Sequence, residues 1–476
     1  MSNEITRKPN IIWIMADDLS WGDLGCFGQE KIRTPHIDGL AAGGMRFTQC
    51  YSGSTVCAPS RSSLMQGLYQ GHATVRENMI RHSGGVYRHS LQPGDVTVAQ
   101  VLKGAGYATG LFGKWGLSLC DQPGLPNDMG FDTFFGYLNQ RKAHSHYPAY
   151  LWRNREKVMW PENQGHNHQQ PNAYDQTGHI VVNGVRDSKA AQYAFDLYAD
   201  ESMKFVQANR DRPFLLYLAY TPPHGALEVP ELGDYAHLDW PSITHKIWAA
   251  MITRMDRAIG NLVALLKDLG IYDDTLIFFV SDNGYSASGY AQHPTLDDFF
   301  HHRGPWKGGK GNLNQGGLRV PALAHWPGRI RPGTTSDLVW AFWDLLPTAA
   351  EAAGIEPPGN IDGVSILPTL LGQTDRQQQR DYLYWEFGDE QAIRIGDCYV
   401  YRPHPERPTE VYDAVRDPEQ TVDLAAGQPE TLQRAEKILK DAHTPTPYFP
   451  SPGQSRQTWE RNLRANGIVL PDNVDG

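Results

Sequence analysis

Four short apolar runs in this chain end on residues that can do chemistry. "NIIWIM" runs into Asp17 and Asp18, "YATGLFGK" ends on Lys114, "PFLLYLAYTPPHG" reaches His224, and "TLIFFVSDNG" reaches Asp282 and Asn283. Three carboxylates and one amide oxygen make a hard oxygen set, which favours Ca2+ or Mg2+ over zinc. A divalent ion flanked by Arg61, Lys114, His224 and Lys310 describes a pocket for a small tetrahedral dianion. Such a pocket needs a nucleophile, and "STVCAPSRSSL" offers Cys57 with Pro59 and Arg61 close behind it. Taken singly, each residue has a plain structural alternative: a turn or cap for paired Asp, an exposed Lys, a loop His, a small buried Cys. "DNG" also signals a hairpin, but "YSASGYAQHPTLDD" does not continue as a strand.

The elements that must hold these residues are legible around them. Each apolar run suits a buried strand stopped by polar or Gly/Pro residues. Between the last two runs, Ile247, Met251, Met255, Ile259, Leu262, Leu266 and Leu269 keep a helical stripe that Gly270 terminates. Strand, helix, strand implies a parallel crossover, and open α/β sheets bind ligands beyond the carboxyl ends of their strands. One active-site rim is therefore expected. Past Gly372, the pieces "DYLYWEF", "QAIRIGDCYVYR" and "EVYDAV" suggest an antiparallel sheet, dividing the chain into residues 1–372 and 373–476. The Pro-rich tail from "HTPTPYFPSPGQ" onward reads as an extended surface segment.

With 476 residues of ordinary composition the chain can bury a large core. A net charge of −10 and the lack of a basic tract argue against a nucleic-acid partner. Cys26, Cys50, Cys57, Cys120 and Cys398 form an odd, scattered set, neither a disulfide framework nor a zinc site. No apolar run is long enough for a membrane span. A cytoplasmic location is the expectation for the sequence as it stands, and a periplasmic or secreted one if an export signal has been removed.

"CAPSRSSLMQG" resembles the C-x-P-S-R signature of type I sulfatases, whose cysteine is oxidised to Cα-formylglycine. The likeness continues through "PNIIWIMADDLSWGDLG", "GYATGLFGKWG", "YTPPHG", "SDNG", "GGKGNLNQGGLRVPA" and "EVYDAVRDPEQTVDLA", in the family's order and over most of the chain. It implies the α/β fold of the alkaline-phosphatase superfamily, a large mostly parallel sheet flanked by helices with a smaller C-terminal α+β domain. By the same resemblance Asp17, Asp18, Asp282 and Asn283 are Ca2+ ligands, with modified Cys57 and the sulfate completing the shell. Arg61 would hold the formylglycine oxygens, Lys114 the sulfate, and His224 and Lys310 the leaving-group oxygen. A formylglycine-generating enzyme would be the maturation partner, and a sulfated saccharide the substrate.

Two positions depart from the family pattern. Gly116 stands where many members have His after Lys-Trp, which leaves the base for sulfate release unassigned. Gln315 stands where Glu is common, with a structural consequence expected. "NQRKAHSHYPAYLW" and "YAQHPTLDDFFHHRG" are rich in His, Arg and aromatics, as loops that grip a sugar are, and they nominate Arg141, His144, His146 and His293 as sugar contacts. Ordinary surface loops are the alternative. The first loop is similar to segments of sulfatases that act on galactose-type sugars. The rival functions are a phosphonate monoester or phosphodiester hydrolase of the same superfamily and an unmatured sulfoglycan-binding protein.

Overall fold

The strand Asn10–Asp17, β1, has no exposed residue along its length. Its side chains alternate between two apolar layers: Ile12, Ile14 and Ala16 pack into one, Ile11, Trp13 and Met15 into the other. A strand covered on both faces reads as a continuous apolar run, and that is why periodicity 2 is missing from its sequence. The structure, a computed structural model, describes residues 7–286 and 295–472.

Nine further strands complete the sheet: β2 (Met45–Phe47), β3 (Ala108–Lys114), β4 (Thr133–Tyr137), β5 (Tyr150–Arg153), β6 (Glu156–Met159), β7 (Phe214–Pro223), β8 (Thr275–Ser281), β9 (Ala322–His325) and β10 (Thr334–Ser336). Their order is β10-β2-β9-β8-β1-β7-β3-β4-β5-β6. The central neighbours β8, β1, β7, β3 and β4 pair in parallel, so their carboxyl ends share one edge. Antiparallel pairing enters only beyond them, at β8 with β9 and at β4 with β5. The fold is thus the mostly parallel, alkaline-phosphatase-like α/β sheet that the resemblance implies.

Two helices matter most for the site. α1 (Cys57–Gln66) is buried at every position although it carries Arg61 and three serines, and most of its polar side chains find buried partners. Ser62 Oγ donates to Gln66 Oε1 at 2.9 Å, and Gln70 Nε2 donates to Ser63 Oγ at 2.8 Å. α2 (Ile243–Asp268) buries Ile247, Met251, Met255, Ile259, Leu262 and Leu266 against the sheet, and Gly270 follows at a φ of 68°. The expected stripe and its stop are both present.

After Gly372 four antiparallel strands, Leu383–Phe387, Glu390–Ile395, Cys398–Arg402 and Glu410–Asp413, form a separate sheet. "QAIRIGDCYVYR" is two strands rather than one, broken at Gly396 with a φ of 52°. This sheet shares one apolar cluster with Tyr51, Leu313, Leu318 and Trp343 of the larger unit. Trp385 Nε1 donates to Ser52 O at 3.0 Å, and Leu313 N donates to Glu390 Oε2 at 2.7 Å. The segments leading to Cys57 and following Lys310 therefore rest on the C-terminal strands.

The tail does not lie extended. Arg456–Ala465 is a helix capped by Ser455 Oγ, and Trp459 and Leu463 join Phe449 and Leu470 in a cluster with Ile80 and Tyr87. The i, i+4 spacing of Trp459 and Leu463 was the signal that the prolines outweighed. Among the described residues no helix is long and apolar enough to cross a membrane.

Candidate active site

Asp17 closes β1, Lys114 closes β3, His224 follows β7, and Asp282 follows β8, so four strand ends deliver four functional groups to one edge. Asp18 continues from β1 with a φ of 63°, the left-handed region that Asp tolerates better than most residues. Cys57 is the first residue of α1 and is fully buried beside them.

Three carboxylates meet three cations here. Lys114 Nζ donates to Asp17 Oδ2 at 2.5 Å, Arg61 Nη2 to Asp282 Oδ2 at 2.8 Å, and Lys310 Nζ to Asp18 Oδ1 at 2.5 Å. Arg61 Nη2 also lies 3.4 Å from Asp17 Oδ2. Cys57 Sγ is 3.5 Å from Asp17 Oδ1 and 3.3 Å from Lys310 Nζ. His224 Nε2 lies 3.6 Å from Asp18 Oδ2, while its Nδ1 donates to Gly225 O.

Burial sets the electrostatics. It raises Asp17, but Lys114, His224, Arg61 and Lys310 outweigh it and hold that carboxyl well below the usual range. Burial and the adjacent Asp17 charge push Asp282 up to about 6. Burial, then Asp17 and Asp282, push the Cys57 thiol up to about 12, so the unmodified sulfur stays protonated at neutral pH and is a poor nucleophile. Burial takes His224 down to about 4 against the pull of Asp17 and Asp18.

Comparison with known proteins was made against this geometry. The profile of the family described as Sulfatase matches residues 9–355, and that of "N-sulphoglucosamine sulphohydrolase, C-terminal" matches residues 310–430. The chain belongs to the Sulfatase family. It is 30% identical to arylsulfatase A of Homo sapiens over 477 residues, covering 91% of this chain and 87% of that one. It is 30% identical to N-acetylgalactosamine-6-sulfatase of Canis lupus familiaris over 443 residues, covering 89% and 76%. The crystal structure of Ps i-CgsB in complex with k-i-k-neocarrahexaose superposes with a TM-score of 0.73 at 28% identity, covering 97% of this chain and 98% of that one. The protein is a sulfuric ester hydrolase of metal-dependent type.

The donor set of this sulfatase fits a hard dication. One potential ligand atom each from Asp17, Asp18, Cys57 and His224 lie within 4.8 Å of one another. Asn283 Nδ2 donates to Asp18 Oδ1 at 2.8 Å, while its fully buried Oδ1 has no hydrogen-bond partner and is available to a cation. Asp282 stands one step back from the tight group. Its Oδ2 is held by Arg61, and its Oδ1 accepts from Asp18 N at 3.2 Å.

The nominated sugar contacts divide. Arg141 is exposed, and His144 sets its ring 4.6 Å from that of His224. His146 is fully buried, with Nε2 donating to His224 O at 2.9 Å and Nδ1 3.4 Å from Thr221 Oγ1; enclosed by protein, it braces the loop rather than meeting a sugar. His293 lies outside the described residues. In the same second loop, His302 is buried against Asp23 Oδ1 at 3.0 Å, a structural role.

The two departures have physical counterparts. Gly116 adopts a φ of 74°, and a Cβ there would sit 2.5 Å from Gln140 Oε1, so Gln140 fills the space a side chain would need. Gln315 accepts from Tyr51 OH at 3.1 Å and donates from Nε2 to Ala414 O at 3.4 Å, tying the Lys310 loop to the C-terminal unit.

Sequence reasoning missed Tyr217, whose hydroxyl lies 3.4 Å from Arg61 Nη1, and Asn78, whose Oδ1 accepts from Ala58 N at 2.8 Å. It also missed Glu228 and His166, paired at 2.7 Å behind His224. Only the four-residue step from His224 to Glu228 pointed to them, and that spacing is too common to single out.

Proposed function

We propose that this sulfatase removes sulfate from a galactose-type carbohydrate through a formylglycine made from Cys57 and one Ca2+ held by Asp17, Asp18, Asp282, Asn283 and residue 57. The observation that carries this is the convergence of three carboxylates, an unpartnered amide oxygen and three cations around a buried Cys57 whose own thiol is held protonated. Formylglycine supplies a hydrated aldehyde, one hydroxyl for attack on sulfur and a second that lets sulfate depart without water reaching it. Ca2+ supplies positive charge that polarises the attacking oxygen and the sulfate.

The chain's own residues do the rest. Arg61 orients the oxygens on residue 57, and its guanidinium is fixed by Asp282, Asp17 and the Lys114 carbonyl, which accepts from Nη1 at 3.0 Å. Lys114, now on Asp17 at 2.5 Å, would hold the sulfate with a cation occupying that carboxylate. Lys310 and His224 serve the bridging oxygen, where charge develops as the alcohol leaves; His224, whose Nδ1 proton is committed to Gly225 O, would take a second proton from solvent at Nε2 in answer to the anionic sulfate and pass it to that oxygen. His144 and Arg141 meet the sugar, and residues 373–476 form a C-terminal subdomain that buttresses the Lys310 loop. A galactose-type sugar is supported by the N-acetylgalactosamine-6-sulfatase relative and by the neocarrahexaose-bound neighbour.

The test is turnover of defined sulfated saccharides by protein matured with a formylglycine-generating enzyme. Release of sulfate from galactose or N-acetylgalactosamine sulfates, faster than hydrolysis of a phosphate diester, is expected. A diester hydrolysed faster than any sulfate would overturn the substrate assignment in favour of the phosphoester rival.

A further inference from the structure

Behind His224 lies a polar network centred on Glu228. Glu228 is 1% exposed, and its carboxylate has three donors: His146 N at 2.9 Å, His166 Nε2 at 2.7 Å and Asn172 Nδ2 at 2.9 Å. His146 in turn donates from Nε2 to the backbone oxygen of His224 at 2.9 Å. The neighbouring His144 accepts at its backbone oxygen from Ala226 N at 2.8 Å, so the loop through residues 144–146 is laced to the loop through residues 224–226 at two points. The His144 ring then lies against the His224 ring at 4.6 Å.

Taking a carboxylate out of water is costly unless it is paired and hydrogen-bonded. Aromatic rings enclose the site: Tyr193 OH donates to the Glu228 backbone oxygen at 2.9 Å, and the Tyr147 ring stands edge-on to that of His166 at 5.8 Å. What the charge does hold is the backbone that sets the direction of His224. A general acid gains rate only when its nitrogen lies within hydrogen-bond reach of the atom it protonates, and a misplacement of an ångström forfeits much of that gain.

We propose that Glu228, itself held by His166 and acting through His146, is a positioning residue for His224 and contributes to protonation of the departing alcohol rather than to sulfate binding. This rests on His224 serving the leaving group, as stated under the proposed function. Lys114, Arg61 and Lys310, the groups proposed to hold the sulfate, reach the pocket from other elements.

The test compares matured wild type with Glu228→Gln, His224→Ala and the double variant on two substrates, nitrophenyl sulfate and a sugar sulfate. Glu228→Gln keeps the volume and one acceptor; a cooperative thermal transition shows that it folds, and its inhibition constant for inorganic sulfate should stay close to wild type. It should lose about 10- to 100-fold in kcat on the sugar sulfate, the range seen when a group that orients an active ligand is removed. On nitrophenyl sulfate, whose leaving group needs no proton, the loss should be less than about threefold. The double variant should be no slower than His224→Ala alone, because the two residues act as one unit. Glu228→Asp, restoring the charge, should recover part of the lost rate. Selective loss in His224→Ala with equal losses on both substrates in Glu228→Gln, or additive losses in the double variant, overturns the positioning role alone. Equal losses on both substrates in His224→Ala overturn the assignment of His224, and the role of Glu228 falls with it.

Discussion

Arg61 and Asp282 allow the electrostatics of the site to be measured without any turnover. Their side chains are wholly buried and meet at 2.8 Å, with Asp17 3.4 Å from the same guanidinium nitrogen. Replacing Arg61 with Met fills the space with apolar atoms but leaves Asp282 without its direct cationic partner beside Asp17, which keeps its contact to Lys114. Breaking one side of a buried pair costs about 3–5 kcal/mol, a large part of the roughly 5–15 kcal/mol that holds a typical domain together. Asp282→Asn alone should cost far less, about 1 kcal/mol, since burial and Asp17 already disfavour its charge and Arg61 keeps Asp17. In the double variant the orphaned charge at 282 is gone, so the total loss should undercut the sum of the single losses by about 2 kcal/mol. Urea denaturation of calcium-free protein with Cys57 unmodified gives all four stabilities, provided the slopes agree. Losses that add to within about 0.5 kcal/mol, the behaviour of independent sites, would refute the pairing.

Active protein should show, in the peptide containing Cys57, sulfur replaced by oxygen with two hydrogens fewer; full activity with only the thiol present in the mass spectrum counts against the nucleophile. Ca2+ should raise the melting temperature of wild type in a concentration-dependent way and that of Asp17→Asn much less, and equal shifts would remove Asp17 from the metal shell. Lys114→Ala should slow aryl and sugar sulfates by similar factors, because it contacts the group common to both; a strong preference either way would place it elsewhere. The Glu228–His166 pair carries a pH signature. Burial lowers His166, but the bond and charge of Glu228 raise it above its unfolded value near 6.5, so its contribution is whole below about pH 6.5 and is lost as pH rises through the raised value. Burial raises Glu228, but His166 brings it below its unfolded value near 4.3, so its share is present above about pH 4.3 and lost on acidification. The stability gap between wild type and Glu228→Gln, from urea midpoints, should therefore be widest near pH 5–6 and shrink on the alkaline side; a gap constant to pH 9 would show that the pair is not ionised.

Much of this architecture was legible because burial on both faces leaves a blunt mark. The runs ending at Asp17, Lys114, His224 and Asp282 are buried throughout and mostly apolar, and their polar stops fall on the sheet edge where the functional groups sit. What stayed hidden was three-dimensional. His146 and His144 are two residues apart in one His-rich loop, yet one is fully buried as a brace and the other faces His224, a distinction that depends on which way each ring turns from a short turn of backbone. The tail was misjudged because its prolines, which do interrupt it before Ser455, say nothing of the helix beyond them. Glu228 was invisible because an acidic residue in a loop is ordinarily solvated, and only contacts from residues 146, 166 and 172 reveal otherwise.

The complete enclosure of α1 has a consequence in time rather than in space. Every residue from Cys57 to Gln66 is buried, Pro59 and Arg61 included, and Ala58, Leu64 and Met65 pack in one apolar cluster with Trp13 and Trp340. The converting enzyme proposed for Cys57 would have to grasp this stretch before the C-terminal strands close over Ser52 and Leu313. Under that proposal maturation and folding would compete for the same few residues, and a change that merely speeds closure, far from any substrate, would leave more of the population unconverted.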